Sequence, residues 1–421
     1  MFTTLRNAWK ITELRKKLLF TLFIIILFRI GNAVPVPFVN VDALATYFSM
    51  NLSNTILGLY NAMSGSAFSQ ATLFALSIQP YINASIIIEL LTIAIPALER
   101  LAKEGGEEGK KKLGRITRYT SVGLGVVLGF AYYTMLNNYG LLSETGFWQA
   151  IVVIVSFAAG ASLVMWLGEQ ITEFGIGNGI SMILFAGIIS RVPNMVVMLV
   201  NGTIKWYFSI LLVIGMLLLI TFIVFVTNAE RRIPVQYAKR VVGRKVYGGQ
   251  NTHLPIKVSM SGVLPVIFAQ SIASLPATIM AFSKNGMNTW LYKNVFANNT
   301  LVYAIIYFAL IIMFSYFYAS VQYNPVEISN NLKKNGGFIP GFRPGRPTAE
   351  FIAKTINKIV LFGALYLAVV ALLPIVTGNI IGNTQVALGG TSVIIVVGVA
   401  IETVSQLEAQ MLMRHYKGFL E

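Results

Sequence analysis

Ten stretches of roughly 20 mostly apolar residues punctuate the chain, at 18–36, 71–95, 116–137, 147–168, 176–200, 206–227, 258–282, 300–323, 358–377 and 390–411. That length is what a helix needs to cross the hydrocarbon core of a bilayer. None of the stretches alternates as a strand would, and Leu, Ile, Val, Phe, Ala and Gly dominate them. Only helices and closed barrels satisfy their backbone in lipid, so the pattern predicts an all-α polytopic membrane protein with ten transmembrane helices. Composition agrees: 56% of the residues are hydrophobic and 11% charged, against about 25% charged in a soluble domain. A soluble enzyme and a disordered chain, which would combine low hydrophobicity with high net charge, are both excluded.

Basic residues orient the spans, because Lys and Arg accumulate in cytoplasmic connections. With the N-terminus inside, 27 of the 32 Lys and Arg fall on that side, while Lys205, Lys284 and Lys293 alone fall in outer loops. Arg29 and Arg191 lie within spans, toward their outer ends, where such side chains snorkel. Both termini are therefore expected in the cytoplasm, and most of the formal +16 charge is topology rather than nucleic-acid binding. The first apolar run follows Arg6, Lys10, Arg15, Lys16 and Lys17 with no small-residue cleavage site, which predicts a retained helix. Ten spans divide into five plus five about the loop at 201–205. An odd number inverts the second half, the arrangement that many transport folds build around a central path. The expected organisation is a cytosolic tail at 1–17, a first half at 18–200, a second half at 206–411 and a tail at 412–421.

Two inner loops exceed what topology requires. In 229–257 the alternation of Ile233, Val235 and Tyr237, followed by Val241 and Val246, predicts a hairpin or short strand pair carrying Lys239, Arg240, Arg244 and Lys245. In 324–357 the Pro and Gly density around Arg343-Pro344-Gly345-Arg346-Pro347 predicts a non-helical tip that exposes arginines. Their length favours docking of a large cytosolic partner with an anionic face over headgroup contact alone. The small polar residues at 61–70 sit poorly against lipid, and Pro80 is expected to interrupt the following span. Two readings stay open for this region: an outer loop with a kinked helix, or a half-inserted segment that occludes a path. Glu89 and Glu402 are intramembrane carboxylates and so functional candidates.

Chemistry of other kinds finds little support. There are no cysteines, and His253 and His415 show no metal-ligand spacing. No P-loop, HExxH or GxSxG occurs, and Asp42 is the one aspartate. The glycines of Gly175-Ile176-Gly177-Asn178-Gly179 follow no strand and precede no lysine, so they do not read as a phosphate cradle. Neither a cofactor nor an enzymatic activity is expected. The competing class is a secondary transporter for a small solute, which predicts midplane ligands and short cytosolic loops.

Five strings, in order, carry a resemblance: Pro80-Tyr81-Ile82-Asn83-Ala84-Ser85, Trp166-Leu167-Gly168-Glu169-Gln170-Ile171-Thr172-Glu173, Gly175-Ile176-Gly177-Asn178-Gly179-Ile180-Ser181, Thr252-His253-Leu254-Pro255-Ile256-Lys257 and Gly341-Phe342-Arg343-Pro344-Gly345. With them the chain resembles the SecY family, the channel-forming subunits of the bacterial Sec translocase, from about Leu14 to the last span. The resemblance implies an hourglass pore between two inverted five-helix halves, through which unfolded secretory polypeptides cross the cytoplasmic membrane. Its aliphatic ring maps onto Ile78, Ile82, Ile180, Leu184, Ile267 and Ile395, with Leu184 departing from the more usual isoleucine. The plug maps onto about 61–70, with Asn61, Met63, Ser64, Gly65, Ser66 and Phe68. A lateral gate between spans 2–3 and 7–8 carries Asn83, Glu89, Gln270 and Ser271, and Glu89 stands where the family has a neutral amide. Lys239, Arg240, Arg244, Lys245 and Arg343 map onto docking sites for the ribosome, through rRNA phosphates, and for a SecA-type motor ATPase. Small SecE-type and SecG-type subunits, signal sequences of secretory preproteins and the lipid bilayer complete the implied partners.

Overall fold

The computed structural model describes residues 2–52, 56–200, 206–237, 240–242, 245–247, 251–259, 262–283, 286–297, 300–381 and 390–417. Ten helices occupy the ten apolar stretches: α1 (Thr12–Gly31), α2 (Gln79–Ala94), α3 (Gly106–Asn138), α4 (Phe147–Phe174), α5 (Gly179–Ile189), α6 (Trp206–Asn228), α7 (Leu264–Phe282), α8 (Leu301–Gln322), α9 (Arg346–Ile381) and α10 (Gly390–Lys417). Among the described residues, seven of these (α3, α4 and α6 to α10) are by themselves long and apolar enough to cross a membrane. An eighth span results if α2 is joined to the helix Pro96–Lys103, which leaves it at 106°. The remaining two fall short for visible reasons: α1 opens with Glu13, Arg15, Lys16 and Lys17, and α5 has only 11 residues.

Several boundaries differ from the expected ones. Pro80 does not kink a helix; it sits in the first turn of α2, where its missing N–H costs nothing. Residues 71–78 are turns, yet Thr72, Phe74, Ala75, Leu76, Ser77 and Ile78 are all buried. Non-helical backbone at this depth is tolerated because protein, not lipid, surrounds it. At the other end Pro96 forces Ile95 into extended conformation (φ −111°), and the chain turns sharply. The stretch expected at 176–200 is likewise broken, into α5 and a second helix, Val192–Val200.

The helices form one apolar bundle in which α3 packs on α2 and α4, α8 on α7 and α9, and α10 on α5, α6 and α9. Its main core draws on α1, α2 and α4 to α10. Asn178 caps α5 by accepting hydrogen bonds from the N–H groups of Ile180 (3.1 Å) and Ser181 (3.3 Å), the ordinary use of an Asn before a helix. Gly179 then lies so close to α4 that a methyl group there would overlap the Gly168 carbonyl oxygen. The glycine-rich string is thus a helix cap and a tight crossing.

The loop at 229–257 forms the expected strands. β1 (Glu230–Tyr237) pairs antiparallel with β4 (Asn251–Lys257), Ile233 opposite Leu254, while β2 (Arg240–Val242) and β3 (Lys245–Tyr247) make a hairpin between them. A short β5 (Gly337–Phe338) joins the other side of β1. Ile233 and Val235 point into a separate core with Ile256, Ile339 and, from α9, Ile352, Ile356 and Val360. The second loop is less irregular than its composition predicts. Asn324 caps a helix Pro325–Lys334, and α9 begins already at Arg346, so only 335–345 is non-helical.

Candidate channel seal and gate

The six aliphatic candidates come from the starts of four helices. Ile78 and Ile82 flank Pro80, Ile180 and Leu184 lie one turn apart on α5, Ile267 is in the first turn of α7, and Ile395 lies near the start of α10. Ile78, Ile82, Leu184, Ile267 and Ile395 are each at most 4% exposed and share one apolar cluster, with Ile180 packed against it. These side chains offer neither hydrogen bonds nor charge, so a path through them meets a dewetting barrier to water and ions. Both halves contribute, the first through α2 and α5 and the second through α7 and α10.

Met63 belongs to the same cluster. It ends a helix Ile56–Met63, followed by a turn and a 3₁₀ turn Phe68–Gln70. The 61–70 segment folds largely on itself. Ser66 N–H donates to the Asn61 carbonyl (2.8 Å), Ser69 N–H to Asn61 Oδ1 (2.9 Å) and Phe68 N–H to Ser64 Oγ (3.2 Å). Gly65 takes the left-handed conformation (φ +69°) that a Cβ would strain. Small and polar residues are only part of the segment, because Phe68 stacks on Tyr132 of α3 (4.4 Å between centroids) and Tyr132 Oη donates to the Phe68 carbonyl.

Of the gate candidates, the structure brings Gln270 and Ser271 together with Ser274 on α7, Gln79 at the start of α2, and Tyr60 and Met63 of the 56–63 helix. They line a cavity of about 10 Å³, the size of roughly one water molecule. Met63 Sδ accepts from Gln79 Nε2 (3.3 Å) and, at the longer distance of 4.0 Å, from Gln270 Nε2. Both amide oxygens are buried with no donor among the described residues. Asn83 is buried a turn further along α2. Glu89 stands apart: half-buried beyond Asn83, it shares the electrostatic neighbourhood of Tyr318 on α8 with Glu402 of α10. Gln79 escaped the sequence reading, although an amide immediately before Pro80 in an apolar stretch is a usable signal.

Among the docking candidates, Arg343 is exposed on the tip between Gly341 (φ +89°) and Gly345 (φ +107°). Its carbonyl accepts from Thr348 Oγ1 (2.8 Å), and the neighbouring Phe342 stacks on Phe351 of α9 (4.2 Å). Arg240 and Lys245 occupy the β2–β3 hairpin, opposite Tyr247 and Val242. Lys239 and Arg244 lie outside the described residues.

A family model described as SecY matches residues 72–404. A curated relative from Streptomyces scabiei, "Protein translocase subunit SecY", is 42% identical over 442 residues, covering 100% of both chains. The chain belongs to the SecY family.

Solved structures of similar fold include "The structure of a protein conducting channel" (TM-score 0.66, 19% identity, 94% of this chain and 92% of that one). Another is "Sec61 in the Canine ribosome-channel complex from the endoplasmic reticulum" (TM-score 0.61, 18% identity, 94% and 92%). At those identities they speak for the fold alone. The ten-helix architecture is consistent with the SecY family, whose curated relatives are named protein translocase subunits, and the apolar helices make this member a multi-pass membrane protein. Neither the family model nor the named relatives favour the small-solute transporter.

Proposed function

We propose that unfolded secretory polypeptides pass through the apolar ring and that apolar segments leave sideways into lipid between α2–α3 and α7–α8. The observation that carries this reading is one apolar cluster that gathers the ring candidates of both halves together with Met63. A collar without polar groups excludes ions at rest and makes no demand on the sequence of a chain it deforms around. In this reading 61–70 is the plug, and Asn83, Glu89, Gln270 and Ser271, together with Gln79, line the seam. The halves run over 18–200 and 206–411, with cytosolic tails at 1–17 and 412–421.

The membrane is a bacterial cytoplasmic one, with both termini on its inner side. Thr4 Oγ1 donates to Glu408 (3.0 Å) and Lys17 Nζ to Gln410 (3.5 Å), which supports a shared side for the two ends of the chain. The basic hairpin and the Arg343 tip face a SecA-type motor ATPase and the ribosome in turn, the latter a partner named for the canine Sec61 channel. Phosphate contacts of this kind are sequence-independent and weaken with salt. SecE-type and SecG-type subunits accompany the channel, and signal sequences open the seam.

The test exploits the missing cysteines. A single Cys replaces Ile82 or Ile267, a secretory chain with one Cys is stalled partway across, and the sample is oxidised. A mixed disulfide that requires stalling, absent from a lipid-facing control position such as Val127, is the expected result. Failure at every ring position with an engaged chain would overturn the reading.

A further inference from the structure

The buried side chain of Asn32, the residue closing α1, is not used by any of the preceding readings. It is 6% exposed and makes one hydrogen bond, from Nδ2 to the carbonyl of Ser64 in the 64–66 turn (3.0 Å). Its Oδ1 has no donor among the described residues. A buried amide left half-satisfied costs stability, so its placement calls for a reason, and its one partner is the turn. Arg29, one helical turn earlier, reaches the next carbonyl, Gly65 O, at 3.5 Å.

From the other side, α5 presses its backbone on the same turn. A methyl group at Gly187 would overlap the carbonyl oxygen of Met63, where the helix passes into the turn, and stand 3.5 Å from Gly65 N, while one at Gly65 would stand 2.7 Å from Ser190 Oγ. The turn is thus held between α1 and α5, while Tyr132 of α3 holds Phe68 just beyond it. All of these groups belong to the first half. The contacts to α7 come from the preceding helix: Met63 Sδ to Gln270, and Tyr60 Oη to Ser274 Oγ (3.4 Å).

We propose that Asn32 and Gly187 are the positioning residues of a latch that fastens the 64–66 turn, through its own backbone, to the first half. The inference rests on the reading of 61–70 as the plug. The latch grips the carbonyls of Ser64 and Gly65 and leaves no room for a side chain at Gly65, so it reads the backbone of the turn and the absence of a Cβ there. Because the described grip on the turn lies on one half, the seam at α7 can part while the turn stays seated, and displacing the turn is a separate event.

The experiment uses the full chain in proteoliposomes with a single reporter, Ala67→Cys, at a position 1% exposed in the seated segment. Two variants are combined with it: Asn32→Leu, which removes the donor, and Gly187→Ala, which pushes from the opposite helix while suiting a helix better than glycine does. Labelling by a membrane-impermeant maleimide from the outer face and resting ion conductance are measured together, with deletion of 62–69 as the reference for an absent plug. The expected result is a rise of about tenfold in labelling rate in both variants, the factor equivalent to ~1.4 kcal/mol, and a conductance between those of the parent and the deletion. Parent-like labelling in both variants overturns the latch. Raised labelling with parent-like conductance, in the deletion as well, overturns the plug assignment and leaves the latch as the anchor of a segment that does not seal. Preprotein translocation by each variant serves as the folding check, and if Asn32→Leu fails it, Gly187→Ala carries the test alone.

Discussion

Replacing Gln270 by Leu should make the channel more selective for strongly apolar signal segments. In the closed bundle Gln270 is 6% exposed, its Oε1 has no donor among the described residues, and its Nε2 makes only the long contact to Met63 Sδ. A buried amide this poorly satisfied costs about 1–3 kcal/mol relative to a state in which water reaches it. A parted seam is such a state, so the amide favours opening. Leucine removes the unmet acceptor at similar volume and stabilises the closed seam by the same order, about 1–3 kcal/mol. A leucine entering lipid contributes roughly 0.3–0.6 kcal/mol. An intermediate penalty of about 1.5 kcal/mol is therefore offset by roughly three more leucines in the entering segment. The assay is export of a reporter behind a series of signal segments with increasing leucine count, comparing the count that gives half-maximal export. An unchanged threshold, or one that falls, would refute the idea that the unmet amides at Gln79 and Gln270 hold the seam near its opening point.

Other perturbations probe different parts of the molecule. Arg343→Glu reverses the charge on the exposed tip while leaving the Thr348 hydrogen bond to its backbone intact, so motor-driven translocation should weaken while insertion of the channel itself is normal; wild-type transport rates would remove Arg343 from the docking surface. Gly179→Ala forces α5 away from the Gly168 carbonyl and should destabilise the protein by about 1–3 kcal/mol, read as a lower midpoint for thermal aggregation in detergent. An unchanged midpoint there would show that the α4–α5 crossing can open without cost.

How much was legible in the sequence depends on which signal each element carries. Apolar run length located ten helices because lipid imposes it on every span, and the Ile233/Val235 alternation located the strand pair because one face of it packs on α9. Boundaries failed where the run continued through backbone that is not helical. Residues 71–78 read as the first part of an apolar span, yet they are buried turns with Ala71 and Ser77 at positive φ. Apolar composition alone cannot separate burial in protein from burial in lipid. Proline had a similar ambiguity: Pro80 starts a helix where a kink was expected, since position within the helix decides its effect. The ring residues were reached through the resemblance, since isoleucine in a bundle core carries no mark of its own. Asn32 was missed because a cap asparagine is commonplace until its side chain is seen to serve a different segment.

The two first-half helices that carry the ring candidates are also the two shortest of the ten. At 1.5 Å per residue, the 16 residues of α2 reach about 24 Å and the 11 of α5 roughly 16 Å, short of a hydrocarbon core of about 30 Å. Neither helix can partition into a bilayer as a finished unit, because the turns at 71–78 before α2 and the break between α5 and the helix Val192–Val200 need protein around them. During synthesis α2 must wait, shielded, for α4 and α7 to arrive, and α5 for α10. The helices proposed to yield to a passing chain are therefore those whose own residence in the membrane is conferred by their neighbours, and the bundle becomes a stable membrane object only as they come together.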